Sequence, residues 1–497
     1  MTTMKLFKSL ILITALSFAF VSCDDFLDVN TDPNAATEVS PDLLFPTVLA
    51  NVASNRAIEI QPSNSFFVNI WAPNGSAGVF INPDRYIISP FSTGNTWSNW
   101  YGVSMRNLVL MIDAAENLEP VRPNVAAQAR ILRAYLFFSI TMMWENVPFT
   151  EASDPDQFPE PAFDDQETVL RGVISMLDEA INQIQLGEAA VVGGDLVYDG
   201  DMLGWLKFAN SLKLRTYMFL RNQDPSVDSE IANLLNNAEL IRDNADEAAI
   251  PFFDNDENAN NVWVLNNLFG GFTGAGNGGI FIFAGKTLVD IMNELEDPRR
   301  NTYFSYAMYG NEMVSDEFIG QEAGVSGWGG ETSMVSQNII RRDWPSRMLT
   351  ASEVLFYEAE FLATTGNLPG AHAAYIAGVR ASLDFLDPYT TKAPGTGSLN
   401  GIPEAEKTAY IESLPSSFSN ETAALEAIHT QQYIEVLDRA PENWSHWKRT
   451  KFPELTIAQD ADLGDIIRRF PYPPSEIAAN PNTPQDPTLD TPMWFEN

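Results

Sequence analysis

Hydrophobic residues return every three to four positions in several separated stretches, the period of one face of an α-helix. In "AAQARILRAYLFFSITMMW" the residues Ile131, Ala134, Tyr135, Phe138 and Met142 fall on one side. "ETVLRGVISMLDEAINQI" does the same with Leu170, Val173, Ile174, Leu177, Ile181 and Ile184. "GWLKFANSLKLRTYMFL" does so with Trp205, Phe208, Ala209, Leu212, Thr216 and Phe219. The run from Thr350 to Leu383 reads as two helices parted at Gly366 to Gly370, with Thr350 or Ser352 placed to cap the first through a hydroxyl. "ALEAIHTQQYIEVLD" adds Leu425, Ile428, Gln432 and Val436. The pattern predicts a mainly α chain.

Between these helices the pattern lapses over residues 60–100, 186–202, 251–345 and 386–422. Irregular stretches this long inside a compact domain are usually functional, so ligand chemistry is sought there first. The last 27 residues, "PYPPSEIAANPNTPQDPTLDTPMWFEN", carry too much proline for a helix or a central strand. They are expected to wrap the body in extended form, with a disordered tail as the alternative. The helix pair around 351–386, with its short turn and its small residues Ala371, Ala374 and Gly378, resembles a tetratricopeptide-type hairpin. No strict 34-residue period runs through the chain, so a regular solenoid is not expected.

The start of the chain reads differently. Lys5 and Lys8 precede an uncharged run from Leu10 to Val21, the layout of a secretory signal peptide rather than of fold. About twelve apolar residues fall short of the roughly 20 that cross a bilayer as a helix, which argues against a transmembrane anchor. Cys23 is the one cysteine in 497 residues, and with Ser22 before it the site resembles a lipobox, Phe20 standing where leucine is usual. The expected organisation is a signal peptide over 1–22, a lipidated tether over 23–40 and a single domain over 41–497. A thiol consumed by lipidation leaves no disulfide, and a chain this long buries enough surface to be stable without one. Asp24 and Asp25 resemble the surface-export signal of lipoproteins in Bacteroidetes-type bacteria; a solvated linker start is the plainer alternative.

Charge narrows the partners. Lys and Arg total 29 against 66 Asp and Glu, for a net charge of −37, and removal of Lys5 and Lys8 with the signal (−37 less 2) takes it to −39. Such a field repels polyanions, so no nucleic-acid partner is expected and strongly sulfated or uronic polysaccharides are disfavoured. Hydrophobic residues at 45% describe a packed globular chain, and no later stretch of 18 apolar residues exists to add a membrane span.

A search for catalysis returns little. The histidines are His372, His429 and His446, none in an HExxH pattern or beside CxxC, and no G-x-S-x-G elbow occurs. Carboxylate pairs for glycoside hydrolysis carry no information without geometry when 66 acids are present. "GAGNGG" at 274–279 lacks the strand that a dinucleotide loop needs, and "GIFIFAGKT" is one residue too long for a phosphate loop. No cofactor and no metal site is expected.

Binding chemistry fits the irregular stretches better. Sugar rings pack their C–H faces on aromatic rings while their hydroxyls need amide and charged partners. "FFVNIWAPNGSAGVFINPDRYIISPF" supplies Asn69, Trp71, Asn74, Asn82, Asp84, Arg85 and Tyr86; "NNVWVLNNLFGGFTGAGNGG" and "GVSGWGG" supply Trp263, Asn266, Phe272 and Trp328. Trp328 is the foremost candidate, because Gly327, Gly329 and Gly330 let backbone approach a ligand closely. Trp97, Trp100, Trp144, Trp205, Trp444 and Trp447 lie in or beside helical patterns and are expected to be structural.

Several stretches, in order and spanning nearly the whole chain, resemble SusD-like proteins, surface lipoproteins that capture nutrients. "CDDFLDVNTDPN" is similar to their N-terminal motif, and "ARILRAYLFFSITMMWENVPF" to their arginine-bearing helix ending in a Gly-Asp-Val-Pro turn, here with Glu145 and Asn146 in place of Gly-Asp. "WLKFANSLKLRTYMFL" and "TASEVLFYEAEFLATTGN" resemble two more signature helices, and "QQYIEVLDRAPENWSHWKRTKFPEL" with "RRFPYPPSEIAANPN" the C-terminal block. The resemblance implies a SusD-like helical scaffold without catalytic activity, lipid-anchored at the outer membrane facing outward. It also implies a glycan ligand and a SusC-like TonB-dependent barrel over which the protein sits as a hinged lid. Capture of peptides on the same scaffold, a secreted glycoside hydrolase, and a lid with no ligand site of its own are the alternatives.

Overall fold

The helical periodicity is realised in a computed structural model that describes residues 40–73, 81–89, 93–187, 191–255, 257–260, 262, 282–309, 312–325, 331–336, 338–389, 401–485 and 487–496. The longer helices are α1 (Pro41–Asn55), α2 (Gln61–Phe67), α3 (Arg106–Asn117), α4 (Pro123–Trp144), α5 (Gln166–Gln183), α6 (Met202–Leu220), α7 (Asp228–Asn237), α8 (Lys286–Glu294), α9 (Ala351–Thr364), α10 (Leu368–Phe385), α11 (Glu404–Ser413), α12 (Glu421–Glu435) and α13 (Glu442–Thr450). Six short strands, β1 (Trp71–Pro73), β2 (Ala248–Ile250), β3 (Ile282–Ala284), β4 (Met308–Tyr309), β5 (Glu312–Met313) and β6 (Ser346–Leu349), form antiparallel pairs β1–β3, β2–β6 and β4–β5 among the described residues. Among the described residues no helix is long and apolar enough to cross a membrane.

Local signals set the helix ends. Proline in the first turn of α4 and of α10 removes an N–H that had no helical partner there. Of the two predicted caps for α9 it is Thr350 that serves, its hydroxyl accepting from Glu353 N at 3.2 Å. Gly366, at φ 87°, ends the turn after α9, and Gly378 lets α10 close on Phe356, whose ring would lie 2.7 Å from a Cβ there.

Two predictions needed correction. The stripe on α4 is not a stripe: from Ile131 to Trp144 every residue but Arg133 is buried. Helices α3, α5, α6 and α13 cover α4 on all sides, so periodicity showed only part of its burial. The stretches read as irregular hold α2, α8 and α11. These helices are short and bury few apolar residues, Leu288, Val289 and Met292 in α8 and Tyr410 in α11, which is too sparse a signal for the period to stand out.

The middle of the body is polar as well as apolar. Arg215, from α6, makes two 2.7 Å bonds to Glu353 of α9. Arg439 bridges Glu353 and Glu435 of α12, both at 2.6 Å. Arg347 on β6 holds Asp438 at 2.6 Å, and Arg56 reaches Glu442 at 3.1 Å. Burial alone would depress these arginines, but the carboxylates around them hold Arg215, Arg347 and Arg439 well above the ordinary range. Glu353, between two guanidiniums, is lowered to about 2 against the pull of burial.

The proline-rich C-terminus wraps the body as expected, interrupted by the short helix Pro474–Ala479. Phe495 is buried against Phe219, ring centroids 5.1 Å apart. Glu145, which ends α4, adopts φ 71° and ψ −92°, a conformation ordinarily reserved for glycine. Its carboxylate accepts from Trp494 N at 2.8 Å and pairs with Arg469, so the side chain offsets the strain of its own backbone by fastening the C-terminal wrap.

Candidate functional site

Three of the predicted aromatic loops take root on one patch of short strands. In the β1–β3 ladder Pro73 pairs with Ile282, so the chain enters 74–80 and leaves 263–281 at one end of a three-residue ladder. Segment 331–336 runs along the free edge of β3, Phe283 bridging Met334 and Ala284 N donating to Ser333 O at 2.9 Å. Segment 321–325 starts at the other end of β3, where Gln321 N donates to Ala284 O at 2.8 Å. The 74–80 and 263–281 loops thus leave one end of a ladder about 10 Å long, while the segments that border 326–330 reach its other end through Gln321 and Ser333.

Asn74, Trp263, Asn266, Phe272 and Trp328 fall within those loops and lie outside the described residues, as does Cys23. Asn69, Trp71, Arg85 and Tyr86 sit at the roots. Asn69, in the left-handed region at φ 47°, accepts from Thr287 N and Oγ1, both at 2.9 Å, and donates to Gln321 O at 3.3 Å. One carboxamide therefore clamps the start of α8 to segment 321–325. The contact also requires Gly285, where a Cβ would lie 2.0 Å from Asn69 O. Arg85 donates through Nε to Gly324 O at 3.1 Å. Tyr86, at φ 62°, is buried on Phe67 and accepts from Ala458 N at 3.2 Å; burial pushes its phenol up to about 12. Trp71 is buried in β1 and lines a cavity of about 30 Å³, room for one water, with Arg56, Trp344 and Asp438. Its indole N–H has no hydrogen-bond partner among the described residues.

Asp84, offered by the same stretch, holds the root of the third loop. Its Oδ2 accepts from Gly324 N at 2.6 Å while Oδ1 is buried with no partner among the described residues, and burial raises the carboxyl from 3.8 to about 7. Asp84 and Arg85 together grip both backbone groups of Gly324, two residues before the loop that carries Trp328. Unforeseen in the sequence is a cleft of about 690 Å³ walled by the start of α8, by 322–323 and by 453–459. Only assembly of three distant segments creates it, so no local pattern announces it.

Catalytic and metal chemistry find no support in the histidines, since burial pushes His429 and His446 down and His372 is engaged with Pro415 O at 2.7 Å. Among the described residues no group of three His, Cys, Asp or Glu could hold a metal ion. The structural tryptophans Trp97, Trp100, Trp144, Trp205, Trp444 and Trp447 are all buried.

Residues 33–473 match the family model SusD-like_2, described as starch-binding and associating with the outer membrane. The chain belongs to the SusD-like family. Among solved structures, a chitin-binding protein superposes with a TM-score of 0.77 at 21% identity, covering 92% of this chain and 100% of its own. A Bacteroidetes AC2a SusD-like protein gives the same four values. A SusD homologue from Bacteroides fragilis NCTC 9343 gives 0.73 at 20% identity, covering 92% and 99%. At such identities the likeness is one of fold. A comparison with curated proteins finds no match. The quoted SusD-like motifs meet in the buried Arg215–Glu353–Arg439 network and in the turn at Glu145, so what they specify is the scaffold that carries the loops.

Proposed function

We propose that this SusD-like protein binds neutral oligosaccharide or polysaccharide at the outer membrane, without catalysis, and passes it to a SusC-like TonB-dependent transporter. The observation that carries the reading is that the segments bordering all three aromatic loops are anchored on the short β1–β3 ladder, two at one end and one at the other, in a chain whose family is described as starch-binding. In this reading Trp328, Trp263 and Phe272 supply ring faces and Asn74 a hydrogen-bonding amide. Trp71, Tyr86, Arg85 and Asn69 hold the loop roots in place, and Asn69 also borders the 690 Å³ cleft. Lipidation at Cys23 tethers the domain, and the net charge of −37 selects against polyanionic ligands.

Affinity electrophoresis against neutral and anionic polysaccharides, with Trp328→Ala alongside, tests the site. Retardation by a neutral glycan that the variant loses is the expected result. Retardation by none would move the ligand to peptide or to the partner barrel. Deleting the protein should slow uptake of its glycan at limiting concentration, and unchanged uptake would remove the delivery role.

A further inference from the structure

Among the described residues, the lining of the 690 Å³ cleft carries no aromatic ring. Backbone bonds join its walls: Lys286 N donates to Gln321 O at 2.8 Å, and Gln459 N to Ala323 O at 2.9 Å. Gly324 makes the second junction possible, since a Cβ there would lie 2.0 Å from Gln459 O. The cleft is therefore built by close backbone contacts rather than left between loosely packed side chains.

Part of its lining is polar and uncommitted. Glu322, Glu454, Thr456 and Gln459 are exposed, and none of their side chains bonds another described residue. Asn69 across from them is wholly engaged with the scaffold, and Lys286 is neutralised by Asp290. Carboxylates that accept, with a hydroxyl and an amide that both donate and accept, match an array of sugar hydroxyls. Ile457, 43% exposed, adds an aliphatic surface for a C–H face. A volume of 690 Å³ lies in the range that takes a drug-sized molecule, hence several sugar rings rather than one. One wall, 322–323, runs within three residues of the loop that holds Trp328.

We infer that this cleft is a second subsite, holding by hydrogen bonds the continuation of a neutral glycan chain whose first rings stack on the aromatic loops. The inference rests on the glycan-binding reading above and extends it: the ligand is a chain long enough to span both places. Uronic or sulfated chains are excluded by the unpaired Glu322 and Glu454.

The test is titration calorimetry of the full chain in detergent, using trimers and hexamers of neutral α- and β-glucans, chitin, xylan and mannan, with the Glu454→Ala/Gln459→Ala double variant in parallel. For the glycan that binds, the hexamer should be tighter than the trimer by about tenfold, a few hydrogen bonds' worth. In the double variant that advantage should fall to about twofold or less with trimer affinity unchanged, which also shows that the variant is folded. A hexamer advantage retained in the variant, or absent from the parent, overturns the subsite alone. Failure of every neutral glycan to bind overturns the functional reading and the subsite with it.

Discussion

Glu145 shows how a single residue resolves a conflict between backbone and side chain. The Val-Pro turn after α4 needs a glycine-like conformation, φ 71° and ψ −92°, yet the residue there carries a long side chain. The strain costs on the order of 1–3 kcal/mol, and two contacts, to Trp494 N and to Arg469, offset it. Glu145→Gly should relieve the strain while losing the contacts, and so stay within about 1 kcal/mol of the parent. Glu145→Ala keeps the strain and loses the contacts, so it should be less stable by about 2–4 kcal/mol. Urea unfolding of the three proteins checks the order; an alanine variant as stable as the glycine one would show that the strain is not there. The sequence showed the substitution at this turn but not its compensation, because Arg469 and Trp494 lie more than 300 residues away.

Among the elements, the long amphipathic helices were legible and the short ones were not. α5, α6, α9, α10 and α12 fall where the apolar period placed them, although α6 and α9 are buried nearly all round rather than on one face. The root of the Trp328 loop has no such signal: it is pinned by Asp84, whose folded-state carboxyl is raised from 3.8 to about 7 by burial. A raised acid binds its proton more tightly in the folded state, so its contribution is fully present below about pH 4 and is lost as pH rises through 7. Asp84→Asn keeps the acceptor for Gly324 N and carries no charge. Relative to the parent it should therefore gain on the order of 3 kcal/mol between pH 5 and pH 8. Denaturant midpoints at the two pH values test this, and a difference that does not change with pH would refute it.

Across the whole molecule, one buried network joins segments from both ends and the middle of the chain. Arg56 and Glu442 are 386 positions apart, and Arg215 and Glu353 are 138 apart. Removing one partner strands a buried charge, so Arg439→Met, which leaves Glu353 and Glu435 underpaired, should cost about 3–5 kcal/mol. Arg171, about half exposed and paired with Glu167 and Asp224 at the surface, should cost less than about 1 kcal/mol when replaced by Met. Urea melts compare the two, and equal costs would mean that the buried network is dispensable. The sequence by itself determined the mainly helical class, the positions of the longer helices, a hydroxyl cap at Thr350 or Ser352, the wrapping C-terminus and the acidity that repels polyanions. Each of these is written within a few turns of chain or in composition. Tertiary structure alone decided that Asn69 meets Thr287 across 218 positions, that Asp84 meets Gly324 across 240, and that three distant segments wall a cleft. Periodicity reports which side of an element is apolar; which element covers it depends on how the chain closes on itself, and the geometry of the candidate site arises there.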